Sequence, residues 1–238
     1  MSRRAVVFIH EAHEGPGLLK GALEKSGYVL EERQREVREG DADADLVVVM
    51  GGPMGVYEAD RYPFVKAEIE LVRARLAANK PVIGICLGAQ ILAAAAGSRV
   101  YPGKEGVELG VFPVMLTGAG RNDPAFGGNA QTLEVAHWHG DTFDPVPGAT
   151  LLASSDRYPQ QAFKTGRSYG VQFHPELDVE TFARWLDNDP DAVHSAGRYI
   201  EEIRQDDLPK LKKAVPAWQT FLERLVEAAS LESTSALP

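Results

Sequence analysis

The stretch Gly84-Ile85-Cys86-Leu87-Gly88-Ala89-Gln90 places the only cysteine of the chain between a strand and a helix. Residues 81–85 are apolar and largely β-branched, which predicts a short buried strand. Residues 87–96 are apolar and alanine-rich, which predicts a helix that Gly97 ends. Glycines two before and two after Cys86 keep both flanks of a sharp turn free of side chains. That is the pattern of a nucleophile elbow, with a thiol in place of the usual serine. A thiol at a helix start meets free N–H groups and the positive end of the dipole, and both favour the thiolate. Lone cysteines are more often inert core residues. Here the glycine bracket and the strand–helix context favour the reactive reading.

A nucleophile needs a base, and Gly170-Val171-Gln172-Phe173-His174-Pro175-Glu176 supplies one. The segment begins as a strand, where residues i and i+2 point to the same side. Glu176 can therefore sit beside the His174 ring, fix its tautomer and stabilise its charge, while the other ring nitrogen faces the thiol. Pro175 fixes its own φ and biases His174 toward an extended backbone, which stiffens the pair.

With these motifs the chain resembles the class I (triad) glutamine amidotransferases. That family carries a G-x-C-x-G elbow with glutamine two after the second glycine, and an H-P-E tripeptide after a later strand; Cys86 and His174 stand about ninety residues apart in that order. Gly51-Gly52-Pro53 follows an apolar strand at residues 46–50, where such enzymes place an oxyanion loop. His139-Gly140-Asp141 resembles the S-H-G-D segment of the glutamine pocket, with Trp138 replacing the serine. The likeness spans roughly residues 5–177, and four motifs in register make it specific.

The resemblance implies hydrolysis of the glutamine side-chain amide to glutamate and ammonia through a Cys86 thioester, with His174 as acid and base and Glu176 orienting it. The oxyanion would be held by the N–H of Leu87 and one from the Gly52 loop, Gly52 or Met54. Gln90, Gly140 and Asp141 would recognise the glutamine, and neither metal nor organic cofactor is required. Many relatives pair with, or are fused to, an ammonia-consuming synthase. This sequence has no phosphate-binding loop and lacks the Ser-Gly-Gly pyrophosphatase loop of GMP synthase, so it resembles the amidotransferase half of that enzyme alone. Two alternatives stand beside this reading. One is a γ-glutamyl peptidase or hydrolase acting without a partner. The other is a non-catalytic regulatory or interaction protein, against which Cys86, His174 and Glu176 all argue.

The remaining residues set the frame. Alternating strand and helix patterns predict an α/β fold: a mostly parallel, doubly wound sheet with helices on both faces, a mixed β extension and a helical C-terminal tail. Strands are expected at residues 5–9, 28–32, 46–50, 107–116, 132–136, 150–154 and 161–164, with helices at 18–26 and 62–79. The charged stretch 33–45 reads as an exposed connection. An amidotransferase domain at residues 1–177 is followed by an extension, 178–238, expected to pack on it. There helices at 179–186, 192–205 and 216–229 are separated by breaks at 187–190 and 207–209, and residues 231–238 read as a frayed end. The apolar face of Trp218, Phe221 and Leu225 could instead serve a partner or a homo-oligomer contact. A net charge of −9 argues against nucleic acid and anionic membrane surfaces. A single cysteine allows no internal disulfide, and neither an apolar leader nor a membrane-spanning run is evident, so a cytoplasmic protein is expected. Two histidine clusters are read as non-metal. His10 and His13 are three apart where a zinc-protease helix needs four, and His137 and His139 lack an obvious further ligand.

Overall fold

Strand β1 (Arg3–Ile9) sends Ala5, Val7 and Ile9 into one hydrophobic cluster and Val6 and Phe8 into another. A strand buried on both faces needs helices on both. In the computed structural model, which describes residues 3–127 and 130–231, the chain supplies them. One cluster takes Leu19 and Leu23 of α1 (Gly17–Lys25); the other takes Val65 and Val72 of α2 (Pro63–Ala77).

Five parallel strands form one side of a nine-stranded sheet, from its edge inward: β2 (Tyr28–Gln34), β1, β3 (Leu46–Val49), β4 (Val82–Ile85) and, out of chain order, β11 (Ser168–Val171). Between β4 and β11 the chain builds α3 (Leu87–Ala95), β5 (Val100–Pro102), β6 (Glu108–Leu116), α4 (Gly118–Asn122), β7 (Thr132–His139), β8 (Asp141–Phe143), β9 (Thr150–Ser154) and β10 (Ala162–Thr165). From β11 the sheet continues antiparallel as β10, β9, β6 and β7, while β5 and β8 pair separately. This is the expected α/β architecture with its mixed extension. Ligands of such sheets bind outside the carboxyl ends of the parallel strands, and the segments after β1, β3, β4 and β11 carry Glu14, Gly51, Cys86 and His174.

The C-terminal helices are α5 (Val179–Asn188), α6 (Pro190–Ser195) and α7 (Ile200–Ser230). The expected breaks differ. The helix anticipated at residues 192–205 stops at Ser195, because Gly197 adopts φ +69°. The break anticipated at 207–209 does not occur, and α7 runs through Pro209 and Pro216. Both prolines, and Gln205 and Lys212 whose carbonyls they leave without an N–H, lie on the exposed side where water can bond. Leu211, Trp218, Leu222 and Leu225 on the other side are fully buried and hold the helix to the sheet. The expected frayed end falls, from residue 232, outside the described residues.

The stretch 33–45 also departs from expectation. β2 extends through it to Gln34, and the Arg33 guanidinium is buried against Asp41, with Nε donating to the two carboxylate oxygens at 3.1 and 3.2 Å. A charge run reads as a solvated face unless one of its own pairs folds inward, as here. Among the described residues no helix is long and apolar enough to cross a membrane.

The glycines at the elbow act through close approach. A Cβ on Gly88 would land on the Val49 carbonyl of β3, and one on Gly84 would land on the Gly88 backbone. Gly88→Ala should therefore destabilise the fold by about 3 kcal/mol, the upper part of the range for overpacked cores. Urea unfolding measures this; an unchanged midpoint would contradict the packing described.

Candidate active site

Cys86 ends β4 and precedes the first turn of α3, at φ 52° and ψ −108°. Non-glycine residues adopt positive φ at a cost of about 1–2 kcal/mol, so the conformation persists only where neighbours over-determine it. They do: Cys86 N–H donates to Val171 O at 2.9 Å, and Cys86 O accepts from Gln90 N–H at 3.1 Å. The thiol is 7% exposed, with Sγ 3.8 Å from the Trp138 carbonyl.

His174 is pinned from the other side. Its N–H donates to Ala136 O at 2.8 Å, and its Nδ1 lies 2.7 Å from Glu176 Oε1. Burial alone would lower the His174 pKa; the charges of Glu176 and Cys86, with hydrogen bonds to both, outweigh it and raise it well above the usual value. The arrangement can therefore hold a charged imidazole between a thiol and a carboxylate. Trp185 of α5 meets the ring edge-on at 5.1 Å. Glu176 is fixed in turn through its backbone carbonyl, which accepts from Leu18 N–H at 2.8 Å.

The loop after β3 is held by a pair the sequence does not single out. His10 and Glu68 are completely buried, with His10 Nδ1 2.7 Å from Gly51 O and Nε2 2.9 Å from Glu68 Oε2. Both ring nitrogens face oxygens, an arrangement that the imidazolium satisfies by donating to each. Burial opposes that charge, and the Glu68 hydrogen bond and charge prevail, raising the pKa. Gly52 passes so close that a Cβ there would lie 2.8 Å from His10 Cβ and 3.0 Å from Leu87 Cδ2. The residues read as oxyanion donors, Gly52 and Leu87, are thus packed side by side.

Cys86, Gly52, Gln90, Gly140, Asp141 and His174 all line one cleft of about 320 Å³; Leu87 and Glu176 stand behind its wall. Gln90 donates to Gln172 Oε1 at 3.2 Å. Gly140 O accepts from Gly103 N–H at 2.7 Å, and the Tyr57 hydroxyl reaches Asp141 at 3.5 Å. The unusual Trp138 sends its ring edge-on against Phe182 and Trp185, each at 5.7 Å, filling the space between β7 and α5.

The further ligand type missing beside His137 and His139 in the sequence is present on the paired strand. Glu108 lies 3.0 Å from His139 Nε2 and 3.5 Å from His137 Nδ1, in a buried trio. Strand pairing across β6 and β7, which puts Glu108 opposite His139, is long-range and leaves no local signal. The carboxylate is already engaged, since Ser155 Oγ donates to it at 2.7 Å and Gln161 Nε2 at 2.6 Å. Burial would raise the Glu108 pKa, but the His139 hydrogen bond and charge, with His137 and Ser155, lower it overall.

Sequence reasoning also passes over Glu14 and Trp185, which line the cleft. Glu14 stands beside a histidine pair weighed only for metal, and Trp185 within a stretch that reads simply as helix.

The family profile described as Glutamine amidotransferase class-I matches residues 24–190, and the chain belongs to that family. A glutamine amidotransferase-like protein of Salmonella typhimurium, YfeJ, is 35% identical over 93% of this chain and 97% of its own length. A glutamine-hydrolysing GMP synthase subunit of Halobacterium salinarum is 35% identical over 58% of this chain and 69% of its own. A γ-glutamyl-L-1-hydroxyisopropylamide hydrolase of a Pseudomonas species is 29% identical over 74% and 60%. Among solved structures, a glutamine amidotransferase of Thermotoga maritima superposes with a TM-score of 0.86 at 29% identity, covering 98% of this chain and all of that one.

His137 yields a pH prediction. Burial, and then the charge of His139, push its pKa down to about 3, while Nε2–H donates to Phe112 O at 3.3 Å. The unfolded chain takes up a proton near pH 6.5 that the folded ring refuses. This residue's contribution is therefore complete above pH 6.5 and lost on acidification, by about 1.4 kcal/mol per pH unit, until the folded ring titrates. Ring nitrogen NMR should find His137 neutral from pH 8 to pH 5; titration near 6.5 would contradict its burial.

Proposed function

We propose that this chain is a cysteine amidohydrolase that cleaves the side-chain amide of glutamine to glutamate and ammonia, with Cys86, His174 and Glu176 as its triad. The observation that carries the reading is the His174 ring held between the Cys86 thiol and the Glu176 carboxylate, 2.7 Å from Nδ1, at the floor of the cleft. Cys86 thiolate attacks the amide carbonyl, and His174 delivers its proton to the departing nitrogen as the C–N bond breaks. Water, activated by the now neutral His174, then opens the thioester and releases glutamate. Glu176 orients the ring and stabilises its charge. The oxyanion is held by N–H groups of Leu87 and the Gly52 loop, whose spacing the buried His10–Glu68 pair maintains. Gln90, Gly140 and Asp141 receive the glutamyl end.

In this reading the ammonia passes to an acceptor synthase, as the GMP synthase relatives suggest. The protein would work in the cytoplasm, where a catalytic thiol stays reduced. A second reading, hydrolysis of γ-glutamyl amides without a partner, is supported by α5 and the start of α6, since Trp185, Asn188, Asp189 and Ala192 help to line the cleft and so complete its wall from within this chain. The Pseudomonas γ-glutamyl amide hydrolase adds support.

Cys86→Ser should abolish glutamate release while leaving the fold intact, and a chloroketone analogue of glutamine should attach at Cys86 by peptide mass spectrometry. Persisting turnover in the serine variant would reject the assignment.

His174→Ala should lower turnover by about 10⁴-fold or more, because triad members act as a unit. Glu176→Gln should cost less, since an amide oxygen can still accept from the ring but cannot stabilise its charge. Wild-type turnover in Glu176→Gln would move the acid role elsewhere, with Asp141 examined next.

A further inference from the structure

The cleft does not end at His174. Glu14, on the loop after β1, lines it with a side chain only 16% exposed, and its one ion pair among the described residues is with His13 at 3.8 Å. Gly51 shows where that carboxylate points. A methyl group there would lie 3.1 Å from Glu14 Oε2, 3.1 Å from His174 Cε1 and 3.7 Å from Cys86 Cβ. The three side chains thus converge on one point beside Gly51, where a Cβ would be tightly packed. Trp185 closes the wall, with its indole N–H donating to His13 O at 3.4 Å and its ring edge-on to His174.

The His174 proton must reach the leaving nitrogen, so the part of the cleft beside His174 and Glu14 is its leaving-group end. Gln90, Gly140, Asp141 and Tyr57 mark the end proposed for the glutamyl group. A scissile carbonyl seated at Cys86 then directs its leaving nitrogen toward His174 and Glu14. The charge at this second end is specific. His174 is shared with Glu176 and His13 is half-exposed, so these histidines balance Glu14 only in part, and the cleft lining contains no lysine or arginine. Ammonia needs no such wall, and an anionic leaving group would be repelled by it.

Resting on the amidohydrolase reading, we propose that Glu14 forms a leaving-group subsite, and that the substrate it selects is a γ-glutamyl amide whose departing amine carries a second, cationic group. The bonds follow the same course. Cys86 sulfur bonds to the γ-carbonyl carbon, the C–N bond breaks, and the His174 proton goes to the departing nitrogen. The remote ammonium stays against Glu14 until water has hydrolysed the thioester. Burial pushes the Glu14 carboxyl up from its usual range, and the nearby charges of His174 and His13 pull it back; an arriving ammonium favours the ionised form further. Glu14 touches the leaving group and is a specificity residue; it takes no part in the proton transfers.

The test compares three γ-glutamyl amides on the purified chain: the ethylamide (neutral), the mono-amide of 1,2-diaminoethane (cationic) and γ-glutamylglycine, whose leaving group carries a carboxylate (anionic). Glutamine and chloroketone labelling of Cys86 are followed alongside. In the wild type kcat/KM should rank cationic above neutral above anionic, with at least about tenfold between the extremes, as expected for one poorly screened charge pair. Glu14→Gln should flatten that ranking and Glu14→Asp should keep it. Ratios are taken within each enzyme, so a general loss of activity cancels. An unchanged ranking in Glu14→Gln, or no cationic preference in the wild type, overturns the inference. So does turnover of glutamine with none of the three amides, which leaves the amidohydrolase reading standing. Absence of all turnover and of Cys86 labelling removes that reading, and this inference with it.

Discussion

The left-handed backbone of Cys86 is the conformation on which the cleft depends. A strand can hand its last side chain to the mouth of a helix only if the chain reverses within one residue. Doing so without glycine costs conformational energy that packing must offset. Here the offset comes from Gly84 and Gly88, which let α3 lie against β4 and the Val49 carbonyl of β3, and from the hydrogen bond between Cys86 N–H and Val171 O. That last bond ties the elbow to β11, the strand that leads to His174. The same constraint that strains Cys86 therefore sets where the histidine arrives.

Around this elbow lie three buried histidine–carboxylate pairs, and each fixes a different wall. His174–Glu176 borders the thiol, His10–Glu68 holds the Gly51 peptide, and His139–Glu108 stiffens the strands that end at Gly140. Buried pairs contribute little net stability against an apolar replacement, but removing one partner strands a charge. Their effect here is positional. Each pair aligns a backbone segment that a purely apolar contact would leave free to slide.

Much of this is legible in the sequence where the signal is local. The strand–elbow–helix of residues 81–96 follows from spacing alone, and so does the strand that places Gly51. His174 and Glu176 do meet, but in the bend and turn beyond β11, which ends at Val171, so strand alternation is not what joins them. What escapes depends on distant pairing. Glu68 sits on α2, 58 residues from His10, and Glu108 meets His139 only once β6 and β7 pair. Pro209 reads as a break and Pro216 as a helix start because local propensity opposes proline inside a helix, yet buried Leu211 and Trp218 carry one helix through both. Arg33 and Asp41 read as solvated because a buried ion pair and a surface one look alike in sequence.

The γ-glutamyl thioester proposed on Cys86 is an intermediate that can itself be sought. Turnover of isotopically labelled glutamine, stopped by rapid acid quench, should leave label on the peptide containing Cys86, and hydroxylamine should release it as expected of a thioester. Active turnover with no label on Cys86 under these conditions would contradict the account.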